Sequence, residues 1–358
     1  MNRPLLLSAL TLLATPLLLS GEGRGTKIAF GVEPGTTLTK TFEIEMDLTL
    51  DSFDMTMNGQ EPPMMPGMEM TLSSVTSIEV EDTYSKVADG RPTLLTRSFE
   101  TCSGESEMDM EIDVMGEIQE IGAAMEISSV LEGESVEFVW NEEEETHDVV
   151  LPDGSALEDE DLEGLIEDMD FRGLLPDGEV DEGDEWEIDL IVMLSIFSPG
   201  GDTKLIAEQN EEMGEMGMSG DTGDFSDYFN EDVEGEFTAV FDGIRKSDDL
   251  EVAVITFTFE LSNAVDLTEK SREALEDSDF PEGINEMEIE HVDIEIEYEG
   301  EGVLQWNLND GHFHSFEASG DFIMIVDQGI LIEAMGQEMS IEQTLEFSGS
   351  LTYEVSAE

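Results

Sequence analysis

The sequence predicts a mainly β, antiparallel fold with one or two short covering helices. Two observations carry this. Apolar residues recur at every second position over long stretches, and Asp, Glu or Thr fill the positions between them. A period of two belongs to a strand with one dry face and one wet face. Hydrophobic residues make up 39% of the chain, enough to supply a core despite the charge.

The elements follow in order. In residues 38–50, Leu38, Phe42, Ile44, Met46, Leu48 and Leu50 take nearly every even position. The same alternation marks strands over 108–114, 136–140 and 186–190, around Phe237 and Phe241, and over 252–261. The final third repeats it at 287–298, 303–308, 312–322 and 340–355. One stretch changes period: Leu162, Leu165, Ile166 and Met169 stand at i, i+3, i+4 and i+7, behind acids at 158–161 that suit a helix N-terminus. This spacing predicts a helix within 153–172, and a second over 266–276 contains Leu267 and Leu275. Loops are expected at 59–67, 198–202 and 210–232, the last long, Gly- and Met-rich and acidic. Residues 24–358 read as one antiparallel β domain; the alternative is two β halves, 24–150 and 173–358, joined by a helical segment 153–172.

The turn at Asn309-Asp310-Gly311 can be read residue by residue. A three-residue loop with Gly311 at a bulge aligns Leu304 with Phe316, Trp306 with His314 and Leu308 with His312. This keeps one face apolar or aromatic, which a two-residue turn does not. It also predicts that both histidines share the face of Trp306.

Asp and Glu number 89 against 13 Lys and Arg, for a net charge of -76. The acids are the wet halves of the strands, so charge and fold are one pattern. Such a field repels nucleic acid and anionic lipid and attracts cations.

The N-terminus has the form of a secretory signal peptide over residues 1–23. Arg3 is the positive start, 5–19 the short apolar run, and Ser20, Gly21 and Gly23 the small-residue exit. Glu22 occupies the position of a lipid-bearing cysteine, so the mature chain is expected to be periplasmic or extracellular and not lipid-anchored. The most apolar later run, 188–197, is too short to span a bilayer as a helix. Cys102 is the sole cysteine and is expected to be buried and inert.

The sequence shows no zinc-protease pattern, nucleophile-elbow serine or phosphate-cradling glycine loop, and a non-enzymatic protein is expected. Asp177, Glu179, Asp181 and Asp184 are oxygen donors suited to weak calcium binding, but without EF-hand spacing. Met213, Met216 and Met218 have the Met-x-x-Met-x-Met spacing of thioether copper(I) sites, with Met64, Met65, Met68 and Met70 clustered in a second loop. Thioethers are more often pliable apolar filler, and no cofactor is expected.

The run Leu175-Pro176-Asp177-Gly178-Glu179-Val180-Asp181-Glu182-Gly183-Asp184-Glu185-Trp186 precedes alternating strands, and Gly302 to Trp306 precedes a turn and a returning strand. Over about residues 173–355 this resembles exported bacterial β-proteins similar in style to LolA/LppX-like half-barrels, which cradle lipid on a concave sheet. The resemblance implies a strongly curved antiparallel sheet, or half-barrel, partly covered by a helix. The absent lipid-bearing cysteine departs from the anchored members. On this reading the chain is an envelope or extracellular protein whose concave face takes an apolar small molecule or a partner protein, with Trp186, Trp306, His312, His314 and Phe316 facing the ligand. The alternatives are a cation-binding or structural acidic surface protein, and an unrecognised hydrolase.

Overall fold

The computed structural model describes residues 25–62, 67–114, 117–152, 154–207, 233–247, 250–276, 284–334 and 337–358. The expected signal segment, the remainder of the 210–232 loop, Met64, Met65 and the Met213, Met216, Met218 group lie outside them.

Among the described residues the alternation builds a mainly β, antiparallel sheet of 13 strands that does not close into a barrel. Its first half is β2 (Thr36–Met57), β3 (Gly67–Ala88), β4 (Arg91–Val114) and β5 (Glu117–Ser129). Its second half is β11 (Glu234–Ser247), β12 (Leu250–Asp266), β13 (Ile284–Asn307), β14 (His312–Ala334) and β15 (Gln337–Ala357). The halves join where β15 pairs with β2, and β10 (Leu205–Ala207) and β9 (Glu185–Glu187) lie at the two ends of the sheet. A short branch, β6 (Ser135–Asn141) and β7 (Thr146–Val150), pairs onto β4, and β1 (Thr26–Lys27) pairs separately with β8 (Glu179–Val180). The long strands run to 24 residues, about 80 Å at the usual rise. Residues 287–298 and 303–308 are thus one strand rather than two.

The inner face carries Phe42, Ile44 and Leu48 of β2 beside Ile78, Thr76 and Leu72 of β3, and Tyr298, Leu304 and Phe316 of the second half. Glycines let rings lie flat on this face. A Cβ on Gly300 would stand 2.7 Å from the Phe259 ring, and one on Gly320 would stand 2.7 Å from the Tyr298 ring. The outer face carries the acids in rows: Glu236, Glu260, Glu299 and Asp321 are successive cross-strand partners. Like charges placed opposite one another repel, so this face depends on counterions.

The core lies against the inner face and is filled by the chain itself. Ile28, Phe30 and Val32 enter from the N-terminal side, and Leu165, Met169, Phe171, Leu174, Met193, Ile196 and Phe197 from the 151–204 stretch. Phe171 adopts positive φ (56°), and its ring meets Phe313, Phe316 and Phe42 at 5.2, 4.8 and 6.1 Å between centroids.

Two local expectations are corrected. In place of the helix expected within 153–172 stand a 3-10 turn, Asp159–Leu162, then irregular chain in which Leu165, Glu167 and Met169 are buried and Ile166 is exposed, and a second 3-10 turn that begins at Arg172 (Arg172–Leu174). The backbone of this stretch has other partners. Gly164 at φ 82° ends the turn, Ile166 N–H donates to the Gly200 carbonyl, and Arg97 donates to the Ile166 and Glu167 carbonyls at 3.0 and 2.8 Å. The covering helices are instead α1 (Val192–Phe197) and α2 (Thr268–Glu276), the second within the expected 266–276. In the β13–β14 hairpin Leu304 does face Phe316, but a bulge then sets Trp306 opposite Phe313 and Asn307 opposite His312. The bulge leaves His314 out of register and places two fully buried rings side by side, whereas the expected alignment would have put an imidazole against Trp306.

Candidate functional site

Where α1 ends, the internal stretch leaves the inner face only partly filled. A partly enclosed cavity of about 220 Å³ remains there. One wall is sheet: Ile44, Met46 and Leu48 on β2, Leu72, Ser74, Thr76 and Ile78 on β3, Ser106 on β4 and Ile127 on β5. Leu205 on β10 extends this wall, the second half adds Ile296, Phe322 and Met324, and the chain after α1 contributes Phe197, Ser198, Pro199 and Thr203. The lining is apolar apart from hydroxyls, and Ser74 and Ser106 are cross-strand neighbours with Thr76 one inner-face position away. Gly104, opposite Thr76, contributes no side chain to fill the space. The apolar surface continues along the strands through a second cluster of Met108, Met110, Ala123, Met125 and Ile127, with Met68 and Met70 packed against it. A recess of about 450 Å³ is of a different kind, a furrow among Glu236, Glu260, Glu299, Glu301 and Asp321 on the acidic outer face.

Elsewhere on the inner face a group of four charged side chains is locked into the core. Lys40, Asp82, Arg97 and Asp170 are each 0% exposed. Arg97 holds Asp82 in a fork, Nε to Oδ1 and Nη2 to Oδ2 both at 2.8 Å. Lys40 Nζ lies 2.8 Å from Asp82 Oδ2 and 2.7 Å from Asp170 Oδ1, and Tyr84 donates to Asp170 Oδ1 at 2.7 Å. Burial alone would raise the Asp82 carboxyl, but Arg97 and Lys40 together hold it down at about 2. Two cations meet two anions, so the group is neutral as a whole. With no exposed atom it cannot meet a substrate in this form. Its work is structural: it pins 166–170 to β2, β3 and β4.

Beside it, Glu167 is 4% exposed, and its Oε2 accepts from Arg172 Nη2 while Oε1 has no protein partner. Burial, aided by Asp168 and Asp170 and opposed by Arg172, raises its carboxyl to about 7. His147 lies at its edge, Nδ1 3.6 Å from Glu167 Oε2, with Nε2 donating to the Pro92 carbonyl at 2.9 Å. The folded value exceeds the ordinary 4.5, so the native state binds the extra proton and stability falls as pH rises between the two. Wild type is expected to lose about 2 kcal/mol between pH 5.5 and 7.5, and Glu167→Gln to remove most of that dependence, read from urea midpoints. His147, depressed by burial, titrates with the opposite sign, and the difference between wild type and variant isolates the carboxyl.

The residues expected to face a ligand are placed elsewhere. Trp306 and Phe316 are in the closed part of the core, against Phe313 and Phe171. His312 is buried at the hairpin tip, donating through Nδ1 to the Phe313 carbonyl at 2.6 Å, and His314 is half-buried. Trp186 is half-buried on β9 and donates from Nε1 to the Leu174 carbonyl at 3.3 Å. None of the five lines the cavity. Asp177, Asp181 and Asp184 are exposed, and Asp184 Oδ2 accepts from the Asp181 N–H at 2.8 Å. Among the described residues no group of three or more His, Cys, Asp or Glu is gathered as for a metal ion. Cys102 is fully buried, and burial raises its thiol to about 11. No helix of the described residues is long and apolar enough to cross a membrane.

No protein-family model matches this chain, and no curated protein matches it. Among solved structures it is similar to the outer membrane protein OprG from Pseudomonas aeruginosa, with 8% identity and a TM-score of 0.21 over 90% of this chain and 97% of that one. That degree of overlap carries no argument about fold or function.

Proposed function

We propose that the chain is an exported, non-enzymatic envelope or extracellular protein that holds a small apolar molecule against its sheet. The observation that carries this is the cavity of about 220 Å³ lined by Ile44, Met46, Leu48, Leu72, Ile296 and Met324. Ligand sites are concave, largely apolar and supplied with a few polar groups, and this lining has that character. An apolar space of roughly 150 Å³ is enough to hold benzene, so this partly enclosed cavity takes a fused ring pair or a short chain, with a further ring at its open side, and not a whole phospholipid. Export rests on the form of residues 1–23.

The test uses the neutral dye N-phenyl-1-naphthylamine, whose emission rises in apolar surroundings. Wild type is expected to bind it saturably near one to one. Thr76→Trp, which directs an indole into the cavity, is expected to weaken binding at least tenfold with an unchanged melting temperature. Saturable binding that survives Thr76→Trp, or no binding by wild type, would overturn the proposal.

A further inference from the structure

We infer that the cavity selects an uncharged amphiphile, one ending in an alcohol, ester or carbonyl group, and refuses the corresponding carboxylate. This deepens the proposal above and rests on it. Among the described residues the lining contains no Lys, Arg or His. Lys40, the nearest base along β2, is wholly committed to Asp82 and Asp170, and Lys204, next to the lining residue Thr203, is paired with Asp202 at 2.6 Å. A carboxylate brought into the cavity would therefore be desolvated without a cation to meet it, which is strongly unfavourable.

A neutral polar end has a place. Ser74 and Ser106 are adjacent across β3 and β4, and Thr76 is the next inner-face residue of β3. Their hydroxyls form one small patch in an otherwise apolar wall, and a hydroxyl both donates and accepts. An alcohol or carbonyl oxygen seated there exchanges its water contacts for these groups, while the alkyl part lies against Ile44, Met46 and Leu72. The chain's net charge of -76 adds a second, longer-range bias against anions.

Displacement of N-phenyl-1-naphthylamine by octan-1-ol and by octanoate at pH 8 tests this. Octanol is expected to displace the dye at least tenfold more effectively than octanoate. Most of that ratio should persist in 1 M NaCl, where the Debye length is about 3 Å and the distant surface charge is screened. Ser74→Lys, which supplies the missing base, is expected to bring octanoate within threefold of octanol. Ser74→Ala/Ser106→Ala is expected to weaken octanol several-fold and to shrink its advantage over octanoate. Octanoate matching octanol in wild type would overturn the inference yet leave apolar binding standing, because the dye still binds. So would a preference abolished by salt, or octanoate binding unmoved by Ser74→Lys. Failure of the dye itself to bind would instead remove the underlying proposal.

Discussion

Replacing Asp82 by alanine is expected to cost about 3–5 kcal/mol, because it strands Arg97 and leaves Lys40 with Asp170 alone. The side chain is inaccessible, so water cannot take over the lost contacts. The loss is comparable to a domain's whole stability margin, and the measurement is a urea titration followed by tryptophan emission. The charge balance gives a sharper version of the test. Lys40→Met leaves Asp170 with Tyr84 as its remaining partner and one net buried negative charge, and Asp170→Leu leaves a surplus cation. The double variant Lys40→Met/Asp170→Leu restores balance around the intact Asp82–Arg97 fork and is expected to be more stable than either single variant. A double variant as unstable as the sum of the singles would show that balance is not what the group provides. The acid side has a defined window. Asp82 is held at about 2 in the folded state against 3.8 ordinarily, so its contribution is complete above 3.8 and is lost as pH falls toward 2.

Phe316→Ala is expected to cost about 3–5 kcal/mol as well, through a cavity rather than a charge. Phe316 lies on β14 opposite Leu304 and Val355, with its ring 4.8 Å from Phe171 and 6.2 Å from Phe257. It joins the sheet to the internal stretch, and the irregular backbone around Phe171 limits how far the site can collapse. Dye affinity measured below the unfolding transition is expected to remain within twofold of wild type, since Phe316 does not line the cavity. A large loss of dye binding with normal stability would reverse that assignment and put the ligand at the closed end of the sheet.

Much of the buried charge left a trace in the sequence. Lys40 interrupts the dry row of Leu38 and Phe42, Asp82 that of Val80 and Tyr84, and Arg97 that of Leu95 and Phe99. A charge at a core position of a strand has to find an opposite charge, and three such breaks in neighbouring strands were a signal available to sequence reading. Pairing them required the register: Asp82 is opposite Arg97 and Leu38, and Lys40 is opposite Val80. The cavity left a weaker trace. Ser74, Thr76, Ser106 and Gly104 are small residues on the inner face of β3 and β4, but small residues mark a void only once it is known that nothing else fills the space above them.

The two-residue period, by itself, determined the strands, their wet and dry faces and the placement of the acids, because side chains along a strand alternate whatever the strand packs against. The helical spacing at 162–169 was outweighed because Arg97 and Gly200 supply hydrogen bonds that no local pattern encodes. Only the tertiary structure decided which dry residues became solid core and which became cavity wall. Phe316 and Ile44 look alike in sequence, each apolar within an alternating strand. The difference is that the chain between β7 and β10 folds back to fill the space above the first and stops short of the second.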